Sequence, residues 1–202
     1  MTTKLYYFHD PMCSWCWGFK PVWEQVKQAL PESVEVVNIL GGLAPDSDVR
    51  MSTETEGYIR ATWKKIEAQL GRPFNHQFWD VCVPKRSTYP ACRAVIAASV
   101  QGKEEEMIEA IQSAYYLRAL SPSELRVLLL LAEELGLDQA LFEEHMESDE
   151  LDALLAEEVA FYQKANVSGF PSLMLVKDQT AFPLLINYEE PRVILNQVEV
   201  LL

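Results

Sequence analysis

Apolar positions run together or alternate at the two ends of the chain and recur at helical spacing through its middle. The run Leu5-Tyr6-Tyr7-Phe8 reads as a strand. An amphipathic segment follows, with Cys16, Phe19, Trp23, Val26 and Leu30 on one helical face. Pro21 falls inside that helix and, by removing one N–H bond, predicts a kink; Pro31 marks its end. A second strand over Val34–Leu40 is rich in β-branched residues and stops at Gly41-Gly42. Strand, helix and strand at this connection length predict a right-handed βαβ unit. From about Pro45 to Lys164 the period becomes helical. One helix is expected over Thr53–Leu70, with Ile59, Trp63, Ile66 and Leu70 on one face, and another from Ser87 or Thr88 to Val100. A third covers Glu104–Leu117. Ser121-Pro122-Ser123-Glu124 has the form of a capping box opening a helix that carries Leu125, Leu128, Leu129 and Ala132. Helices over Gln139–Met146 and from Ser148 to about Lys164 follow, the latter with Leu151, Leu155 and Phe161 inward. The chain then returns to strands, Ser172–Val176 and Thr180–Ile186, around a turn at Lys177-Asp178-Gln179. Pro183 places the second strand at an edge, and Pro191 opens a last helix to Leu202 with Ile194, Val198 and Leu201 inward.

This order predicts an α/β chain with one mixed sheet, interrupted by a helical block. The expected division is a sheet domain from residues 1–45 and 165–202 and a helical insertion at 46–164. The apolar stripes of the block are at core spacing and read as packing.

Chemistry concentrates at Asp10-Pro11-Met12-Cys13-Ser14-Trp15-Cys16, at a strand-to-helix junction. Two cysteines separated by two residues there form a redox motif, because their sulfurs sit one helical turn apart. The first lies at a helix N-terminus, where unpaired N–H groups and the helix dipole favour a thiolate. Cys13 is therefore the candidate nucleophile and Cys16, one turn inside, the candidate resolving thiol. Ser14 and Trp15 would tune Cys13, with an exposed Trp15 available to an apolar substrate segment. The same spacing is also half of a zinc site. The remaining cysteines, Cys82 and Cys92, have no neighbouring histidine and do not supply the second half, so no metal site is expected.

The Asp10-Pro11-x-Cys13-x-x-Cys16-Trp17-x-Phe19 motif, followed much later by Gly169-Phe170-Pro171-Ser172 before a strand, resembles the DsbA family of thioredoxin-like proteins, in particular its cytoplasmic, FrnE-like branch. The resemblance implies a thioredoxin-like fold with an α-helical insertion between the βαβ half and the ββα half. It implies a thiol–disulfide oxidoreductase or isomerase. In that family the proline is cis beside the cysteines and its loop grips the substrate, a role that passes to Phe170 and Pro171. Ser14-Trp15 lacks the histidine of strongly oxidising periplasmic members, and Phe170 stands where small or β-branched residues are usual. Kappa-class glutathione transferases and hydroxychromene carboxylate isomerases share this layout and give the alternative function. They usually carry serine at the position of Cys13.

Net charge is −13. That argues against a nucleic-acid partner or an anionic membrane surface, both of which call for clustered basic residues. The start Met1-Thr2-Thr3-Lys4 runs into a strand without an apolar leader segment, and the longest apolar run, Val127–Ala132, is too short to span a bilayer. The expectation is a cytoplasmic protein, monomer or homodimer, acting on protein or small-molecule thiols and disulfides. It would need no cofactor beyond glutathione as a redox partner. In a reducing compartment a close cysteine pair is catalytic or metal-binding rather than structural. Cys82 and Cys92 admit two readings, buried packing or a second redox pair feeding Cys13 and Cys16. His9 reads as a solvent-facing strand end, or as an imidazolium near Cys13. Asp10 is expected to cap the turn before the helix, and Glu24 is a candidate buried proton relay for Cys16.

Overall fold

The computed structural model describes residues 3–165 and 167–202. Strand β1 (Thr3–His9) leads through α1 (Ser14–Ala29) to β2 (Val34–Leu40), which lies parallel to it. Helices α2 (Thr53–Leu70), α3 (Phe78–Val81), α4 (Tyr89–Ser99), α5 (Glu104–Tyr116), α6 (Leu125–Glu134), α7 (Gln139–Met146) and α8 (Asp149–Lys164) come next. The antiparallel hairpin of β3 (Ser172–Lys177) and β4 (Thr180–Leu184) and helix α9 (Pro191–Leu201) complete the chain. The sheet order is β2-β1-β3-β4, with β3 antiparallel to β1. This is the expected mixed α/β sheet with helices inserted between a βαβ half and a ββα half. β4 is the edge strand that Pro183 requires.

Strand alternation decides which face each residue serves. Leu5, Tyr7, Val34, Leu173 and Leu175 point to one side, where Phe19, Val22, Trp23 and Val26 of α1 and Ile194, Leu195 and Val198 of α9 cover them. Phe8, Ile39 and Met174 point to the other, where Tyr162 near the end of α8 closes over them. The sheet's second face is thus covered by the last helix of the inserted block. Most of that block packs on itself around Trp63, Tyr116, Phe78 and Phe142, and this core also takes in Met12, Trp17 and Leu40.

The periodicity places most elements correctly, and the departures have local causes. Ser121-Pro122-Ser123-Glu124 is a turn, with Glu124 N–H donating to Ser121 O at 3.0 Å, and α6 begins only at Leu125. The box fails because its two ends are engaged elsewhere. Ser121 Oγ and Ser123 Oγ are 2.8 Å apart, and the Glu124 carboxylate pairs with Arg126 at 2.6 Å. Phe161, expected inward, is 37% exposed, although its ring still meets Tyr6 and Phe8 at the sheet surface. Helix α1 continues through Pro21. Proline removes the N–H that would bond the Trp17 carbonyl, and Arg72 Nε donates to that carbonyl instead, at 3.2 Å.

Candidate active site

The turn between β1 and α1 is built by Asp10. Its carbonyl accepts from Cys13 N–H at 3.0 Å and its carboxylate from Met12 N–H at 2.8 Å. Asp10 therefore caps this turn, as its position before the helix suggests. Its second carboxylate oxygen accepts from Leu43 N–H at 2.7 Å and Thr88 Oγ at 2.6 Å, and lies 3.7 Å from Cys92 Sγ. One fully buried side chain thus joins the end of β1, the loop after β2 and the start of α4. Burial pushes the carboxyl above its usual range, and these donors oppose the shift.

Cys13 is the N-cap of α1, with extended backbone angles. Its sulfur lies 3.6 Å from the carbonyl oxygen of Phe170, and the Phe170–Pro171 peptide is cis. Cys16, one turn inside, is fully buried, whereas Cys13 keeps 6% of its surface. Burial pushes the Cys16 thiol well above its ordinary range; hydrogen bonding to Cys13 and the charge of Cys13 act in the same direction. Tyr7, buried beside it, is likewise pushed well above its ordinary range, first by burial. The two sulfurs therefore differ in access. Cys13 borders a cleft of about 170 Å³ walled by Met51, Tyr58, Ile59, Tyr115 and Phe170. Cys16 faces a cavity of about 350 Å³ on the other side of α1, lined by Tyr7, Lys27, Asn38, Glu105 and Gln112.

The structure gathers all six sequence-predicted site residues, Cys13, Ser14, Trp15, Cys16, Phe170 and Pro171. Ser14 Oγ accepts from the indole N–H of fully buried Trp63 at 3.0 Å. Trp15 is half-buried rather than exposed, because its ring packs edge-on to Tyr188 at 5.3 Å and lies under Lys65. Pro171 is buried, and the Phe170 ring lies against Tyr162 at 4.5 Å and above Gly41.

Other expectations change. His9 does not face solvent: it is fully buried and stacked flat on Tyr7 at 4.8 Å. Burial lowers its pKa to about 4, so it stands neutral beside the site and offers no imidazolium to Cys13. Glu24 is no buried relay, since its side chain is 42% exposed and pairs with Lys27 at 3.2 Å. Cys82 donates to Ala119 O at 3.2 Å while Cys92 sits on Asp10, and both are free thiols raised by burial. Among the described residues, no group of three or more His, Cys, Asp or Glu side chains is placed to hold a metal ion. No described helix is long and apolar enough to cross a membrane.

Three contributors were missed. In the sequence Thr88 signals only a helix start, Trp63 only core, and Gly41 only a strand end. The Gly41-Gly42 pair was the one available signal of a close approach.

Residues 4–185 match the model of the DSBA-like thioredoxin domain. A candidate protein disulfide isomerase from Nitrosomonas europaea superposes with a TM-score of 0.87 at 27% identity, covering 99% of this chain and 97% of that one. The cytosolic disulfide reductase DsbM from Pseudomonas aeruginosa, also solved with glutathione, gives 0.79 at 25% identity, covering 98% of this chain and all of its own. Among curated proteins, the ClpXP adapter protein SpxH of Bacillus subtilis is 25% identical over 180 residues, 87% of this chain. The chain spans 59% of the length of that relative. The family model covers most of the chain, and the chain belongs to the DsbA-like thioredoxin domain family.

Proposed function

We propose that this chain is a thiol–disulfide oxidoreductase in which Cys13 and Cys16 form the redox pair and the Phe170–Pro171 loop receives the substrate. The observation that carries the reading is the placement of one sulfur at the head of α1, 3.6 Å from the Phe170 carbonyl, with the second sulfur buried behind it. In the reducing direction the Cys13 thiolate attacks one sulfur of a substrate disulfide. That S–S bond breaks, a mixed disulfide forms on Cys13, and the first substrate thiol leaves with a proton from solvent. Cys16, having lost its proton, then attacks Cys13 Sγ. The second substrate thiol is released and the Cys13–Cys16 disulfide remains, so two electrons have passed to the substrate. Glutathione is the proposed small-molecule partner, in keeping with the glutathione-bound form of DsbM. A cytosolic reductase is the proposed setting, and low-molecular-weight thiols would re-reduce the pair. The backbone of Phe170, held beside Cys13, offers strand-like pairing to an incoming chain.

The test is equilibration in defined glutathione buffers, with alkylation and mass spectrometry to count thiols. Wild-type protein should interconvert between the dithiol and one Cys13–Cys16 disulfide. Cys16→Ser should trap a mixed disulfide on Cys13, and Cys13→Ser should be inert. Absence of a Cys13–Cys16 disulfide at every poise overturns the reading. That result would favour a glutathione-dependent transferase or isomerase, or an adapter role such as the name of the SpxH relatives states.

A further inference from the structure

The cleft beside Cys13 is electrically unlike the rest of the molecule. The chain carries 30 acidic and 17 basic residues. Yet among the described residues that line this cleft none is acidic, while Lys85 and Arg86 stand together on its wall. Both cations are held there by backbone. Residue 85 forms an isolated antiparallel bridge with Arg50, Met51 N–H donates to Pro84 O at 2.8 Å, and Thr88 N–H donates to Ala44 O at 2.9 Å. The segment carrying the two charges is therefore pinned on both sides. Little satisfies those charges within the chain. Lys85 reaches only Asp48, at 3.3 Å, and that carboxylate is fully exposed. Arg86 is exposed and makes no ion pair among the described residues. A cleft of about 170 Å³ is small beside typical ligand pockets of roughly 300–1,000 Å³, so it admits one arm of a small disulfide rather than a whole ligand.

We propose that Lys85 and Arg86 are specificity-determining residues that select low-molecular-weight disulfides whose arms carry a carboxylate. The inference rests on the redox reading above and names its substrate class. A carboxylate on the arm seated in the cleft meets the two cations while its sulfur lies before Cys13. The attraction acts on encounter and positioning and leaves the bond-making steps unchanged.

The experiment mixes pre-reduced protein with three disulfides and follows single-turnover oxidation of Cys13 and Cys16. The probes are glutathione disulfide (anionic), hydroxyethyl disulfide (neutral) and cystamine (cationic). Each rate in Lys85→Glu/Arg86→Glu is divided by the wild-type rate, which cancels differences in leaving-group chemistry. The expected result at low ionic strength is a loss of about tenfold for glutathione disulfide, a gain for cystamine, and a change within about twofold for hydroxyethyl disulfide. The contrast should shrink near 0.5 M salt, where the Debye length falls to a few Å. Arg126→Glu/Arg192→Glu, the same change of net charge outside the cleft, should leave all three ratios near one. Arg86→Glu alone, at an exposed and unpaired position, should show the same trend more weakly and guards against misfolding of the double variant. Equal ratios for the three disulfides, or a matching effect from the Arg126/Arg192 variant, overturn the selection by Lys85 and Arg86 while leaving the redox reading intact. A wild-type protein that forms no Cys13–Cys16 disulfide with any probe overturns both.

Discussion

Replacing Gly41 by alanine tests the cis-proline loop where β2 hands over to the helical block. A Cβ at Gly41 would lie 1.9 Å from both Cε1 and Cζ of Phe170, against 3.4 Å for ordinary contact, so the ring must withdraw by about 1.5 Å. The backbone gives no relief, because Gly41 N–H donates to His9 O at 2.8 Å. Nor does it add strain, since Gly41 is outside the left-handed region occupied by Gly42. The ring alone must move, and it is boxed by Tyr162 at 4.5 Å and by the cluster of Phe8, Ile39 and Met174. Forcing an extra methyl into such a site costs about 1–3 kcal/mol. Swinging the ring out instead forfeits an aromatic pairing of about 0.5–1.5 kcal/mol together with burial. Either route predicts a stability loss of about 1–3 kcal/mol, with Tm falling about 2–4 °C per kcal/mol for a chain of this size. Displacing Phe170 also displaces its carbonyl from Cys13 Sγ, now 3.6 Å away. A shift on the order of 1 Å at a reacting centre can cost about 100-fold in rate. Urea unfolding and single-turnover disulfide exchange measure the two effects. Gly41→Ala/Phe170→Val, which frees the space, should recover much of the stability, giving a coupling energy of about 1 kcal/mol or more. Gly41→Ala with wild-type stability and wild-type exchange rate, or strict additivity in the double variant, would refute the reasoning.

Two further outcomes are expected. Ser14→Ala leaves the buried Trp63 N–H without its 3.0 Å acceptor and should cost about 1–3 kcal/mol; the Ser14→Ala/Trp63→Phe cycle should show coupling near 1 kcal/mol, and additive values would deny the hydrogen bond any weight. His9 and Glu158 should oppose each other in the pH dependence of stability. Burial lowers His9 from 6.5 to about 4, so its contribution is lost as pH falls from about 6.5 towards 4, because the unfolded chain then binds a proton that the folded one excludes. Burial raises Glu158, bonded to Leu40 N–H, from 4.5 to about 7, so the folded state holds the extra proton and stability falls as pH rises through that window. Each effect is on the order of 2–3 kcal/mol, and between about pH 4.5 and 6.5 they cancel. Relative to wild type, unfolding free energies of His9→Phe should slope downward with pH across that range and those of Glu158→Gln upward; parallel profiles for all three proteins would contradict the assignment.

What the sequence made legible follows the range of the interactions involved. Periodicity reports burial along one element, and the approximate bounds it gave for β2, α2 and α7 agree with the structure; α2, with Ile59, Trp63 and Ile66 buried on one face and Gly71 as its stop, shows the signal most clearly. The cysteine pair and the Gly-x-Pro element were legible because their chemistry is compact in sequence. The capping box at Ser121 misled because residue types alone do not say which of two local partners wins: Arg126, two residues on, takes the glutamate, and Ser123 takes the Ser121 hydroxyl. His9 misled for a similar reason: a histidine at a strand end looks solvent-facing until Tyr7 and α1 are seen to enclose it.

The turn of the candidate active site shows why the remainder was hidden. Several of its polar groups are completed by residues of the inserted helical block. Thr88 and Cys92 meet the Asp10 carboxylate, Trp63 donates to Ser14, and Arg72 donates to the Trp17 carbonyl that Pro21 leaves unpaired. Trp17 itself donates its indole N–H to Pro73 O at 3.1 Å and lies under the Arg72 guanidinium. Without the block, a buried carboxylate would lose two of its partners, and a buried polar group left unpaired costs about 1–3 kcal/mol. The sheet half alone therefore does not contain a finished site, although it contains both cysteines. Thr88 holds the Asp10 that builds the Cys13 turn, and Trp63 holds the adjoining Ser14. Exchanging Ser14 for a residue without a side-chain acceptor would break the Trp63 bond along with the motif, so a redox poise assigned from the four-residue motif alone leaves out the helical block's contacts to it.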